Sequence, residues 1–360
     1  MSNRKQTWKA AVSAAAIAAG AAIPMAANAA WSEDTYTTIT NGVTWTYVVD
    51  EEAGKIMLGK GTGSHGAKMV STSTAGVLYI PTTLAHGGTT YNVTDYAYGG
   101  LSSCASLKGV VFPETTFAQI ANGAALFQSM GACKAIWWKG PNTVASGTQP
   151  VSKVGGGTQL FRYDHSLKAV VLGPNVTYGY VAGTDYPLFK DTQCDVSLFI
   201  PKARWTAMTD NRITNSTTKG ECKIIRYGPG EDIDVSIDGK FTVTTAERLD
   251  DVLSVANDLH DYCGMNPRIA VTNTIEFTDG LITADRMRFA TFSSLMFSAK
   301  TQTQLNAILA AVPSSVPVSI DPTGLTENMT IPDDYPNVFV KTVPGVTIKR
   351  TTKGFMLVVK

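Results

Sequence analysis

Four histidines and five cysteines are the residues of this 360-residue chain best suited to acid–base, nucleophilic or metal chemistry. Their spacing argues against all three. His65, His86, His165 and His260 are scattered, and none has a carboxylate or nucleophile at a separation that implies a catalytic unit. The nearest approach to a Cys/His pair is His260-Asp261 beside Cys263. A helix C-terminus, where an imidazole is favoured by the helix dipole, explains that cluster more simply. A zinc site would need a Cys-x-x-Cys pair or a histidine at ligand spacing, and the chain has neither. Asp232, Asp234 and Asp238 form a loose acidic group without the spacing of a calcium loop, and turn chemistry accounts for Asp238. Gly155-Gly156-Gly157 lacks the lysine and helix that follow a phosphate-binding loop. The expectation is no enzyme activity, no cofactor and no metal.

Binding chemistry is better represented. Lys108, Trp137, Lys168, Phe199 and Arg226 each follow a recurring aliphatic residue, with Trp138, Lys139 and Tyr227 as neighbours. On strands, side chains alternate between faces, so the five should point outward together, and tryptophan with arginine is the composition of binding hot spots. The bland reading is that one of the adjacent tryptophans packs beneath a neighbouring loop.

The elements that would position these residues repeat. Cys104-Ala-Ser-Leu107-Lys-Gly-Val-Val-Phe-Pro113 aligns with the segments opening at Cys133, Asp164, Cys194 and Cys222, at steps of 29, 31, 30 and 28 residues. Val77-Leu-Tyr-Ile-Pro81 is an opening copy without the cysteine. Each copy reads as a short strand stopped by proline or glycine, after a Gly/Ser/Thr-rich segment with an aromatic such as Tyr98, Phe127 or Phe189. A unit of this size cannot bury its apolar side alone, so units must stack with their strands in parallel. Leu107, Ile136, Leu167, Leu198 and Ile225 are then expected to form one buried column and the cysteines another.

The order aromatic, Cys, x-x-Leu, apolar strand, Pro resembles the BspA-like leucine-rich repeats of bacterial surface proteins, over residues of about 40 to 230. Asn41-Gly-Val-Thr-Trp-Thr-Tyr-Val-Val49 with Gly54-Lys-Ile-Met-Leu58 resembles the hairpin that often precedes such arrays. The resemblance implies a surface-exposed binding protein.

The cysteines admit two readings: a disulfide framework, as suits an exported protein, or small apolar residues of a stacked core. Adjacent rungs bring Cα atoms to about 5 Å, so Cys104–Cys133 and Cys194–Cys222 bridges are geometrically possible, whereas Cys263 stands alone.

Arg4, Lys5 and Lys9, the Ala-rich run to Ala27 and the triplet Ala27-Asn28-Ala29 read as a secretory signal peptide over residues 1–29. No membrane span is expected after cleavage, and the location is secreted or cell-surface. Only 16% of residues are charged and the net charge is +1, which offers no field for nucleic acid. Residues 30–76 are read as a hairpin cap and residues 77–230 as the repeat array. After Pro229-Gly230 the period is lost, and residues 231–360 read as a mixed α+β domain. There Asp238-Gly239 marks a hairpin, Thr244-Thr-Ala-Glu247 a capping box, and helices run to Gly264 and across Thr301 to Val312. Leu305, Ile308 and Leu309 match Leu249, Val252 and Leu253 at an offset of 56, as in an internal duplication.

The fold class expected is thus a β-rich repeat solenoid, leucine-rich-repeat-like with a parallel strand ladder, followed by an α+β domain. The expected function is recognition of a protein or glycan on a host or bacterial surface, in adhesion. The alternative is a structural envelope component attached through its C-terminal domain.

Overall fold

The computed structural model describes residues 31–60, 66–97, 99–114, 126–140, 160–174, 176, 188–189, 191–204, 220–278, 280–324, 328–332, 334–340, 348–352 and 355–359. The expected signal peptide, His65, Tyr98, Pro141 and the triple glycine lie outside these residues.

The chain opens with a five-stranded sheet. Its strands are β1 (Tyr36–Thr40), β2 (Val43–Asp50) and β3 (Lys55–Leu58), then, after β4 (Gly76–Tyr79), β5 (Thr83–His86) and β6 (Thr89–Tyr96). The order is β1-β2-β3-β6-β5. Asn41 and Gly42, both at positive φ, make the tight turn that joins β1 to β2. The N-terminal unit is therefore larger than the expected hairpin, since β5 and β6 join it after β4 has left for the next sheet.

That next sheet is a ladder of six parallel strands in chain order: β4, β7 (Leu107–Phe112), β8 (Ala135–Trp138), β9 (Ala169–Leu172), β10 (Val196–Pro201) and β11 (Cys222–Tyr227). A strand-rich architecture with parallel sheets of repeat type is what the recurring segments predict. The register differs from the prediction. The inward column is Leu78, Val110, Ile136, Val170, Leu198 and Ile224. From Val110 onward its steps are 26, 34, 28 and 26 residues. Leu107 and Leu167 are buried in the same core but one position earlier in their coils, and Ile225 faces the opposite side. The cysteines are not equivalent either. Cys104 shares its place with Met130, Asp164 and Thr192, each one residue after a left-handed residue: Ser103, Ser129, Tyr163 and Asp191. Aligning on cysteine therefore put the second copy three residues out of phase.

The turns carry a ladder of their own. The amides of Leu101, Phe127 and Phe161 donate to the carbonyls of Leu126, Leu160 and Leu188. Phe127, Phe161 and Phe189 stack with centroids 5.3 and 4.8 Å apart, and Phe112 stacks on Trp138 at 4.5 Å. Asp164, fully buried, accepts a bond from the Met130 amide of the preceding coil at 2.6 Å, while its second oxygen has no partner. Burial pushes this carboxyl well above the usual range, so it is held protonated.

Beyond Tyr227 a second sheet begins. A hairpin of β12 (Ile233–Val235) and β13 (Lys240–Val243) turns at Asp238-Gly239, as expected. From β13 the strands again run parallel in chain order. They are β14 (Arg268–Val271), β16 (Thr291–Ser298), β17 (Val318–Asp321) and β19 (Val338–Val340), with β15 (Ile275–Glu276) beside β16 and β18 (Met329–Ile331) outside the sheet. The terminal hairpin is present as β20 (Ile348–Thr352) and β21 (Phe355–Val359), with β18 at its side. The period is thus not lost at residue 230. It continues at steps of 28, 23, 23 and 20 residues, from Phe241 to Ile269 to Phe292 and from Leu295 to Val318 to Val338.

Helices α1 (Ala246–Cys263) and α2 (Gln302–Ala311) make two of the crossovers. Thr245 caps the first by accepting from the Arg248 amide, and Thr301 caps the second through Gln304, an offset of 56. The cap is Thr245 and not Thr244, whose hydroxyl instead reaches Asp232. Gly264, left-handed at φ 60°, ends α1 with its amide on the His260 carbonyl.

Candidate binding surface

The outward face of the first ladder is an interior. Val111, Ala135, Trp137, Ala169, Val171, Phe199, Ile225 and Tyr227 share one apolar cluster with α1, α2 and the second sheet. Helix α1 crosses the rungs. Near its start Asp251 pairs with Lys223 of β11 at 2.6 Å, and near its end the Cys263 thiol lies 3.9 Å from the Val110 carbonyl of β7. The close approach explains the small residues Gly109, Ala135 and Ala169, which pair across three rungs. A Cβ on Gly109 would stand 1.6 Å from the Tyr262 carbonyl oxygen.

The expected open face of aromatic and basic residues therefore needs correction. Trp137 is 6% exposed, Trp138 1%, Phe199 0% and Tyr227 1%. Trp137 and Phe199 do point outward as alternation requires, but onto the C-terminal half of the chain. Trp138 points inward, onto Phe112. The Tyr227 hydroxyl donates to the Leu172 carbonyl at 2.5 Å, so the ring is anchored. Lys139 sits over the Trp137 ring at 4.2 Å, and Arg226 is half-buried at the register of Ile200. Apolar residues read as a docking surface for a partner are occupied by the chain itself.

What remains open is a row of lysines. Lys108 and Lys168 are exposed, and between them stands half-buried Lys134, which sequence reasoning missed. The Lys134 amide donates to the Lys108 carbonyl at 2.8 Å, Lys168 to Lys134 at 2.8 Å, and Ser197 to Lys168 at 2.9 Å. Three successive rungs thus hold lysine at one register position, about 4.8 Å apart along the ladder. None of the three forms an ion pair among the described residues. Lys223 differs, since Asp251 and Glu247 accept it. The acid that acts on Lys134 and Lys168 is Asp258 of α1, whose carboxyl is raised by burial against the pull of both lysines. A usable signal was present: Lys-Gly-Val, Lys-Ala-Ile and Lys-Ala-Val begin at 108, 134 and 168.

The groups considered for chemistry are occupied otherwise. All five cysteines are free thiols. Burial pushes Cys104 and Cys194 up to about 11 and Cys222 to about 12, and raises Cys133 and Cys263 as well, so none is a thiolate nucleophile at neutral pH. His260 bonds Asp261 at 2.9 Å and stacks on Phe289 at 3.7 Å, while Cys263 is buried in the interface. His86 lies 3.2 Å from the Tyr47 hydroxyl and 3.4 Å from Glu51, and its ring edge meets Tyr36 at 4.3 Å. This cluster ties β5 to β1, the two edges of the first sheet. Asp238 pairs with Arg268, and Asp234 accepts from the Val235 amide. Among the described residues no group of three or more His, Cys, Asp or Glu is placed to hold a metal, and no helix is long and apolar enough to cross a membrane.

No family model matches the chain, and no curated protein matches it. Among solved structures, the chain is similar to a leucine-rich cell surface protein from Faecalibacterium prausnitzii A2-165. The likeness covers 87% of this chain and 96% of that one, at 11% identity and a TM-score of 0.27. That TM-score is below what a shared fold requires.

Proposed function

We propose that the chain is an exported, non-catalytic recognition protein: a leucine-rich-repeat-like solenoid folded over itself, whose ligand is a protein or glycan on a host or bacterial surface. The signal-peptide pattern of residues 1–29 and the parallel ladders support this reading. The observation that carries it is the lysine row at 108, 134 and 168, in register, accessible and without ion-pair partners. The reading needs no cofactor, nucleic acid or membrane span after signal cleavage. The test is attachment of the purified protein to intact bacterial and epithelial cells. Replacing the three lysines by glutamine is expected to weaken attachment at least tenfold with an unchanged melting temperature. Unchanged attachment would overturn the assignment. Trp137→Ala does not discriminate, because its ring is part of the interior.

A second reading, an envelope component held through its C-terminal half, is favoured by Phe339, 59% exposed on β19, which ends the second sheet. It expects Phe339→Glu to release the protein from the cell surface into the medium.

A further inference from the structure

The geometry points to an anionic polysaccharide as the ligand of the lysine row, an inference that rests on the recognition reading above. Like charges placed directly opposite one another across strands are unfavourable. Yet three successive rungs place lysine at one position, and the backbone bonds through that position fix the spacing. The first and third lysines are separated along the ladder by about 10 Å, two rungs of a parallel sheet. A ligand that relieves the repulsion must bring its negative charges in single file with a comparable repeat. An extended chain of uronate or sulfated pyranose rings does so, since each ring advances by about one rung and carries one acidic group.

Three further observations favour a polysaccharide over other polyanions. The row is one residue wide, whereas duplex nucleic acid presents two phosphate tracks and is met by a broad basic field, which a net charge of +1 does not supply. The cations are all lysines. These act as point charges toward a diffuse anion, where arginine would serve planar, two-pronged recognition. Finally, Asp258 stands beside Lys134 and Lys168. An acidic group within a basic row repels a bare phosphate track but can accept hydrogen bonds from sugar hydroxyls.

The experiment titrates the full mature chain with heparin, with polygalacturonate, with neutral dextran and with duplex DNA, over a series of salt concentrations. Expected are binding to at least one of the two anionic polysaccharides, none to dextran, and weakening with salt that reflects about three released counterions. The triple variant Lys108→Gln, Lys134→Gln, Lys168→Gln should lose at least tenfold in affinity, and the triple Lys→Arg variant should retain it. Dextran binding equal to the anionic chains, DNA binding as tight as theirs, or a glutamine variant that binds as well as the parent would overturn the inference. Cell attachment separates this failure from that of the underlying reading. If attachment depends on the lysines but neither anionic polysaccharide binds or competes, the ligand class is wrong and the recognition site stands. If the protein attaches to no cell and binds no polysaccharide, both fall.

Discussion

The two parallel ladders of this protein solve one problem with different materials. In the first, the chain returns between strands through turns that hydrogen-bond to one another and stack Phe127, Phe161 and Phe189 in a file. In the second, α1 and α2 make two of the returns, and their apolar faces supply the core. A file of rings couples each coil to the next, whereas a helix fills its own place between two strands. The first arrangement needs similar residues at similar intervals and leaves a trace in the sequence. The second tolerates steps from 28 down to 20 residues and leaves little.

The largest expected effect comes from removing one ring of the file. Phe161→Ala should cost about 3–5 kcal/mol in chemical denaturation, as for other buried aromatics. Amide exchange should quicken at the Phe127 and Phe189 turns as well as locally. Ile308→Ala on α2 should cost about 2–5 kcal/mol with the faster exchange confined to that helix. Equal spreading in both variants would erase the distinction between the ladders.

Next is the seam between them. Gly109→Val must push α1 away from β7 and should cost about 3 kcal/mol. It should also shift tryptophan emission to the red as Trp137 is wetted. A folded variant with unaltered emission would show that the helix does not rest on the ladder.

Acidity distinguishes the two halves as well. Burial raises the Asp95 carboxyl of β6 to about 6 from an ordinary 3.8, against the Thr94 hydroxyl and the charge of Lys55, which lower it. A carboxyl that holds its proton more tightly when folded adds stability that is complete below its unfolded value and lost as pH rises through its folded value. Between pH 4 and pH 6 the N-terminal unit should therefore lose up to about 3 kcal/mol. Asp164 acts in the same direction, extending to higher pH. Asp95→Asn should flatten the pH 4 to 6 portion of the curve, as read from urea midpoints.

The smallest effect concerns the helix caps. Thr245→Ala and Thr301→Ala should each cost about 1 kcal/mol. A matching pair of losses would support the duplication offset by 56, and a negligible loss for one would weaken it.

The same contrast accounts for what was legible beforehand. The rungs of the first ladder were visible because strand, proline and aromatic recur, and both helices and all three hairpins were signalled by local turn and cap chemistry. The register was misread because cysteine, a small residue that serves either face of a core, was used as the anchor. Lys134 was missed for the same reason. The second ladder went unseen because parallel strands buried on the helix side carry no interval of their own. Burial of Trp137 and Phe199 could not be inferred from alternation, which fixes the face a side chain points toward but not what lies over that face.

One consequence concerns the order in which the molecule can be finished. The outer surface of residues 107 to 227 is covered by α1, and the cover lies later in the chain than everything it covers. A polypeptide emerging N-terminus first from a ribosome or a translocation channel thus displays Val111, Val171 and Phe199 to solvent until residue 263 is out. Such an intermediate is prone to self-association. Severing the chain near residue 230 would make that transient condition permanent, so the two ladders are one unit of expression although they are two sheets.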